Sequence, residues 1–283
     1  MGQGRLPRLP LPRRCRTPRL GRLKRMPGAG VIRPGLVSIS FRALAPDRIV
    51  ELCAQAGLAV IEWGGDVHVP HGDEPTARTV LARTREAGLA VSGYGSYYRA
   101  GVSEAAGLPF QRVLDTALAL GAPRIRVWAG SCGSQQAGPD ERAAVIADLQ
   151  RITTMACAAG VQILVEHHEG TLCDSPSSSL AVLREVPGLH TGWQPYHGAS
   201  DPDRIADLRA HLALVQTIHV FHWRRDDQAR LHRLPLADGA DVWRPCLDLF
   251  RETGRDIDAL LEFVPDDDPG RLASEAATLR AWL

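Results

Sequence analysis

The sequence predicts a single closed (β/α)8 barrel of parallel strands, and three observations carry that prediction. Short apolar, β-branched-rich runs alternate eight times with amphipathic helical stretches, in units averaging about 32 residues. Many of the helical stretches end on a glycine (Gly57, Gly88, Gly121, Gly160, Gly254), the residue that most readily leaves a helix through the left-handed conformation. After the first strand the chain reads Ser40-Phe41-Arg42-Ala43, with neither the G-x-G-x-x-G nor the G-x-x-x-x-G-K-[ST] turn of an open nucleotide-binding sheet. The 283 residues suit such a barrel, which uses about 250 in one domain. The reading is therefore an α/β fold: a TIM barrel over residues 35–283, preceded by a basic, disordered extension over residues 1–30.

In chain order, the first unit pairs a strand at Leu36–Phe41 with a helix at Ala45–Ala56. The second pairs Ala59–Gly64 with Pro75–Ala87, the third Leu89–Tyr94 with Phe110–Leu120, and the fourth Arg124–Trp128 with Asp140–Ala159. The fifth is Val161–His167 with Ser177–Glu185, the sixth His190–Gln194 with Asp203–His211, the seventh Gln216–His222 with Val242–Glu252, and the eighth Asp258–Val264 with Arg271–Leu283. Two long connections, Gly130–Pro139 and Arg224–Asp241, are expected to serve as lid and specificity loops.

The formal net charge of +1 averages two unlike parts. Residues 1–25 hold nine basic residues and no acidic one, which leaves the body near −8. That leader, with Pro7, Pro10, Pro12 and Pro18 among its arginines, has too little apolar surface to order itself. Three readings of it compete: a nucleic-acid arm, an organelle-type targeting peptide, or an upstream extension from a mis-assigned start with Met26 as the true beginning. The arginine-heavy body favours the third. Lys24 is the only lysine, so the body is denied Schiff-base chemistry. Six scattered cysteines with no C-x-x-C pair read as cytosolic thiols rather than a disulfide framework. No apolar run approaches the roughly 18 residues of a membrane helix, and the expected compartment is the cytoplasm, with no membrane partner.

In a barrel of this kind, chemistry belongs at the C-terminal strand ends, and polar residues accumulate there. The fifth strand ends in Glu166-His167-His168-Glu169, and strand alternation puts Glu166 and His168 on one face. The second ends in Glu62-Trp63-Gly64, followed by Asp66, His68 and His71; the sixth in Trp193-Gln194-Pro195-Tyr196-His197. The seventh carries His219 and His222, and the eighth sets Glu262 inside an apolar run. Alone, each such residue reads as a loop anchor or ion-pair partner. Together, Glu166, Gln194, His219 and Glu262 come from four consecutive strands that converge on one mouth, and buried carboxylates are costly unless paired or metal-bound. One imidazole, two carboxylates and an amide oxygen suit Mn²⁺, Mg²⁺ or Co²⁺ better than a thiolate site would, with Zn²⁺ a further candidate.

These residues and the eight-unit rhythm resemble the xylose-isomerase-like barrels, a superfamily of sugar and sugar-phosphate isomerases and epimerases, inosose dehydratases and apurinic endonucleases. The resemblance covers residues 35–283. It implies that Glu166 and Glu262 are the two glutamates that bind the metal and move the proton, that His219 is the histidine ligand, and that Gln194 stands where an aspartate is expected. It further implies that His197 matches the histidine three residues later and Glu62 the second-strand glutamate that touches substrate. Two departures stand out: Gln194 removes a negative ligand, and His219-Val220-Phe221-His222 lacks the lysine of the family's H-x-K-D.

The expected reaction is proton transfer beside a carbonyl through an enediolate, with Glu166 and Glu262 catalytic. Arg126 would steady an anionic substrate, and His68, His168, His197 and His222 would hold hydroxyls. Trp63, Trp128, Trp193 and Trp223 fall at strand ends, and with Tyr94, Tyr97, Tyr98 and Tyr196 they favour a sugar or polyol substrate. Rival readings are a dehydratase of an inositol-derived ketone, a non-catalytic sugar-binding barrel, and an apurinic-site endonuclease using His68, His71 and His222 for extra metals. An acidic body repels DNA, so no nucleic-acid partner is expected. A homo-oligomer is what the resemblance implies.

Overall fold

The computed structural model describes residues 30–196, 199–228 and 230–283. Apart from Gly30, the expected leader lies outside the described residues, as do His197, Gly198 and Ala229. Eight parallel strands close into a barrel: β1 (Ile32–Val37), β2 (Val60–Gly64), β3 (Ala90–Arg99), β4 (Arg124–Trp128), β5 (Gln162–Glu166), β6 (His190–Trp193), β7 (Val215–Val220) and β10 (Ile257–Leu261), with β10 seated between β7 and β1. The two strands between β7 and β10 in sequence, β8 (His222–Arg225) and β9 (Leu231–Leu234), form a separate antiparallel pair. Helices α1 (Pro46–Gln55), α2 (Glu74–Glu86), α3 (Phe110–Ala119), α4 (Pro139–Ala158), α5 (Pro176–Glu185), α6 (Asp201–His211), α7 (Ala240–Thr253) and α8 (Leu272–Trp282) connect the strands.

The differences from expectation have local causes. β1 begins four residues early, at Ile32, through Pro34 and Gly35. Proline keeps its acceptor, and the Pro34 carbonyl takes the Ala59 N–H at 2.8 Å. At Gly35 a Cβ would meet Val60 and Leu260 at 2.5 and 2.6 Å, so only glycine allows this closure. Ser38–Phe41, expected as strand, coils into a 3-10 turn. β3 runs on to Arg99 across a register shift, where Tyr97 takes φ 55°. β10 stops at Leu261, one residue before Glu262. The segment Arg224–Asp241, expected as loop, holds most of the β8–β9 pair and the start of α7.

Alternation along β10 shows how the interior is layered, with Asp258, then Leu260, then Glu262 facing inward. Asp258 closes the floor with Arg33 and Arg124, Leu260 packs with Val37 and Val60, and Glu262 reaches the mouth. The main apolar core lies outside this column, between the strands and the helices, and includes Trp63, Trp193, Trp243 and Phe250. Cys53, Cys173 and Cys246 are buried thiols, burial pushing each up to about 12. Among the described residues no helix is long and apolar enough to cross a membrane.

Candidate active site at the barrel mouth

A cavity of about 670 Å³ opens at the C-terminal ends of the strands. Its lining takes in Arg126, Trp128, Glu166, His168, Gln194 and Glu262. Glu166 closes β5, and its Oε2 accepts from both Arg126 Nη1 and the Trp128 indole N–H. Its Oε1 takes a long hydrogen bond of 3.4 Å from Gln194 Nε2, which also donates to the His167 carbonyl at 2.7 Å. Behind this, Arg126 Nε donates to Glu62 Oε1 at 2.7 Å, so one buried guanidinium on β4 bridges carboxylates from β2 and β5.

His219 stands among three carboxylates: its Nδ1 lies 3.2 Å from Glu262 and 3.7 Å from Glu166, and its Nε2 lies 3.8 Å from Glu62. These are approaches of charge and not aligned hydrogen bonds, because neither ring nitrogen has a hydrogen-bond partner. Burial disfavours an imidazolium here, yet Glu262 and Glu62 raise His219 to about 10. For Glu62 burial likewise opposes the charge, and the Arg126 guanidinium with His219 overrides it and draws the carboxyl down to about 2.

The cluster fits a divalent cation. One ligand atom from each of Glu166, His219 and Glu262 lies within 4.8 Å of the others. Three buried atoms in the same place have no hydrogen-bond partner: Gln194 Oε1, His219 Nδ1 and Glu262 Oε2. Buried polar atoms without partners are costly, and a cation that takes nitrogen and oxygen ligands would satisfy all three. His219 would bind such an ion as the neutral imidazole, its proton being released.

The other expected site residues divide between cavity and scaffold. His168 lines the cavity, its ring stacked 4.3 Å from Trp128. The Arg99 guanidinium lies 4.2 Å from the same indole, and two groups so close cannot share a face, so both faces of Trp128 are covered. Trp63 and Trp193 are fully buried; Trp193 donates to Asp207 at 2.7 Å, and Trp63 meets His68 edge-on. Ser38 Oγ accepts from the Gly64 N–H at 2.9 Å and shares a second hydrogen bond with His68 Nδ1, also at 2.9 Å. Burial lowers His68, in keeping with a neutral ring that ties two loops. His222 faces Leu234 across β8–β9 and packs on Gly239, outside the cavity lining. His71 donates to Tyr94, whose phenol donates to the Val69 carbonyl at 2.8 Å. Among the described residues the imidazoles of His68, His71 and His222 join no further metal-ligating group.

Sequence reasoning missed part of the lining: Phe41, Arg42, Leu231, Arg233 and Phe263. A usable signal existed for two of them, since Phe41 ends the expected first strand and Phe263 directly follows Glu262.

The family described as the xylose isomerase-like TIM barrel matches residues 50–282. No curated protein matches. Among solved structures, the probable 3-DHS dehydratase AsbF of Bacillus anthracis aligns at 20% identity over 88% of this chain and 99% of its own, with a TM-score of 0.72. A xylose isomerase-like TIM barrel protein of Mycobacterium smegmatis, in complex with magnesium, aligns at 17% identity over 89% of this chain and 96% of its own, with a TM-score of 0.64. A D-psicose 3-epimerase determined in the presence of D-fructose aligns at 14% identity over 88% of this chain and 98% of its own, with a TM-score of 0.63. At these identities the likeness is one of fold.

Proposed function

The chain belongs to the xylose isomerase-like TIM barrel family, and from that membership and the chemistry of the mouth we propose a divalent-metal-dependent isomerase or epimerase acting on a sugar or sugar phosphate. The observation that carries this reading is the convergence of Gln194 Oε1, His219 Nδ1 and Glu262 Oε2, all buried and unpartnered, beside Glu166. A divalent ion held by these four would supply the positive charge that lowers the cost of an enediolate.

The protein groups supply the rest. Arg126 and the Trp128 N–H hold Glu166 in one orientation, and Glu62 holds Arg126 in turn. Glu262, which takes neither of the two donors that hold Glu166, is the group able to take the proton from carbon. The ketose keeps its atoms: in an isomerisation Glu262 takes the proton from one carbon and returns it to the neighbouring carbon while the hydroxyl proton passes from one oxygen to the other, and in an epimerisation Glu262 takes the proton and its partner Glu166 supplies one to the opposite face.

A second reading, a dehydratase, is favoured by the asymmetry of the two glutamates. Both N–H donors fall on Glu166, which leaves Glu262 as the single mobile base. One base suits an elimination in which the α-proton goes to Glu262, the β C–O bond breaks, and the hydroxyl leaves as water by taking that proton back from Glu262. The probable dehydratase activity named for the Bacillus anthracis neighbour supports this alternative.

Incubation with Mn²⁺ and candidate ketoses in D2O, followed by proton NMR, separates the readings. Deuterium entering beside the carbonyl without loss of water is the isomerase or epimerase outcome; growth of an enone absorbance is the dehydratase outcome. Glu262→Gln and Glu166→Gln are each expected to slow exchange at least about 100-fold. Unchanged exchange in both variants, with no metal retained by the purified protein, would overturn the proposal.

A further inference from the structure

We infer that the substrate carries a flat apolar arm, such as an aromatic ring, attached to the polyhydroxylated part that meets the metal-binding floor. The inference rests on the proposed function for the polar end of the ligand and adds the chemistry of the other end. The cavity, at about 670 Å³, lies in the middle of the range of clefts that take ligands of about 300–1,000 Å³, and a single sugar ring fills only part of it.

The two parts of the cavity differ in kind. Glu166, Gln194, Glu262 and Arg126 crowd the floor, whereas the outer wall presents Phe41, Leu44, Trp223, Leu231, Phe263 and Pro269. The charged groups that also line the cavity, Arg42 and Arg233, are already paired with Asp66 and Asp267, so a polyol there would compete with those pairs and otherwise meet carbon. Aromatic faces do stack on sugar rings, but the indole nearest the floor, Trp128, is covered on both faces by Arg99 and His168. Tyr97 and Tyr196 also line the cavity, and a further aromatic cluster stands at the outer wall. Phe263 directly follows Glu262, and its left-handed backbone (φ 55°) sends the ring to the hairpin wall, 5.3 Å from Trp223 and 5.5 Å from Phe221. A bulky residue held in that conformation is strained, and strain of this kind persists where the placement of the side chain matters. Arg233 from β9 lies 4.9 Å over the Phe263 ring. Next to this wall, Leu231 is 40% exposed yet lines the cavity, an apolar side chain that a ligand arm would cover.

The test compares two ligands with one sugar and different arms. Phenyl β-D-glucopyranoside and methyl β-D-glucopyranoside are titrated calorimetrically into the full-length protein with Mn²⁺. The phenyl compound is expected to bind at least about tenfold tighter. Trp223→Ala should bring its affinity to that of the methyl compound while leaving the methyl compound unchanged. Leu231→Ser, at an exposed position, should do the same in part without lowering the melting temperature. Equal affinities in the unaltered protein, an advantage that survives both substitutions, or no binding of either glycoside would each overturn the inference. If the phenyl advantage holds but neither affinity responds to Mn²⁺ withdrawal or Glu262→Gln, the arm stands and the metal-floor reading fails instead.

Discussion

The same two strands build two buried ionic clusters at opposite ends of the barrel. At the floor, β10 contributes Asp258 and β4 contributes Arg124; at the mouth, β10 leads into Glu262 and β4 contributes Arg126. At the floor the carboxylate is fully met: Asp258 accepts from Arg33 Nε at 2.7 Å and Nη2 at 2.9 Å, from Arg124 at 2.7 Å and from Ser92 at 2.8 Å, and the one atom left over there is a donor, Arg124 Nε. Both carboxylate oxygens are satisfied by the protein alone. The mouth sets Glu62, Glu166 and Glu262 against one guanidinium and one imidazole, and leaves Gln194 Oε1, both His219 nitrogens and Glu262 Oε2 without partners. Burial and charge are shared by the two ends, so neither marks function. What distinguishes the mouth is an unmet demand for a cation, and such demand is what a ligand site requires.

The largest expected effect tests whether the floor is structural. Asp258→Ala leaves two guanidinium groups facing each other in the barrel, and removing one partner of a buried pair costs about 3–5 kcal/mol, here toward the lower value because Arg33 is 25% exposed. Urea unfolding measures it. Glu262→Gln, which removes one of three crowded carboxylates, should leave the metal-free protein as stable as before or more so. Equal losses from the two substitutions would erase the distinction between the ends.

A smaller effect sharpens the mouth. Gln194→Asp forfeits the 2.7 Å hydrogen bond to the His167 carbonyl and adds a further carboxylate, so the metal-free protein should lose about 1–3 kcal/mol. With Mn²⁺ the order should reverse, because the added negative ligand tightens binding and a bound ion stabilises the folded state by mass action. Thermal melts with and without Mn²⁺ decide this. A Gln194→Asp protein with no larger Mn²⁺ shift than the parent would remove Gln194 from the ligand set.

The barrel was legible because each of its units states itself locally, through strand alternation, helical periodicity and a glycine stop. The residues that converge at the mouth were legible for the same reason, since strand parity sends Glu62, Glu166 and Glu262 inward. The links between them were not. That Arg126 spans Glu62 and Glu166 depends on how β2, β4 and β5 come together when the sheet closes, and no spacing in one sequence encodes it. The β8–β9 pair was hidden by its composition, His-Trp-Arg-Arg against Leu-His-Arg-Leu, which carries little apolar alternation. Parity applied to the tryptophans separates them correctly: Trp63 and Trp193 directly neighbour inward-facing Glu62 and Gln194 and so point to the core, as the structure has them.

The smallest effect concerns the histidines, which the two ends treat oppositely. His219, at the mouth, is raised to about 10, whereas His190, the first residue of β6, is lowered by burial and by the nearby charges of Arg255 and Arg124. An unfolded histidine takes up its proton near pH 6.5. Folded His190 resists protonation below that point, so between the two values the unfolded chain binds more protons and stability falls as pH falls. His167, held well below the ordinary value by burial, and His68, His71 and His222, also lowered by burial, act in the same direction and together outnumber His219, which acts in the opposite one. Unfolding free energies at pH 7 and pH 5 should therefore differ, with the protein weaker at pH 5, and His190→Asn, which cannot titrate, should narrow that difference without abolishing it. If the variant shows the same pH dependence as the parent, the cost of protonation lies with the other buried histidines, His167 first among them, and the floor is electrostatically closed already.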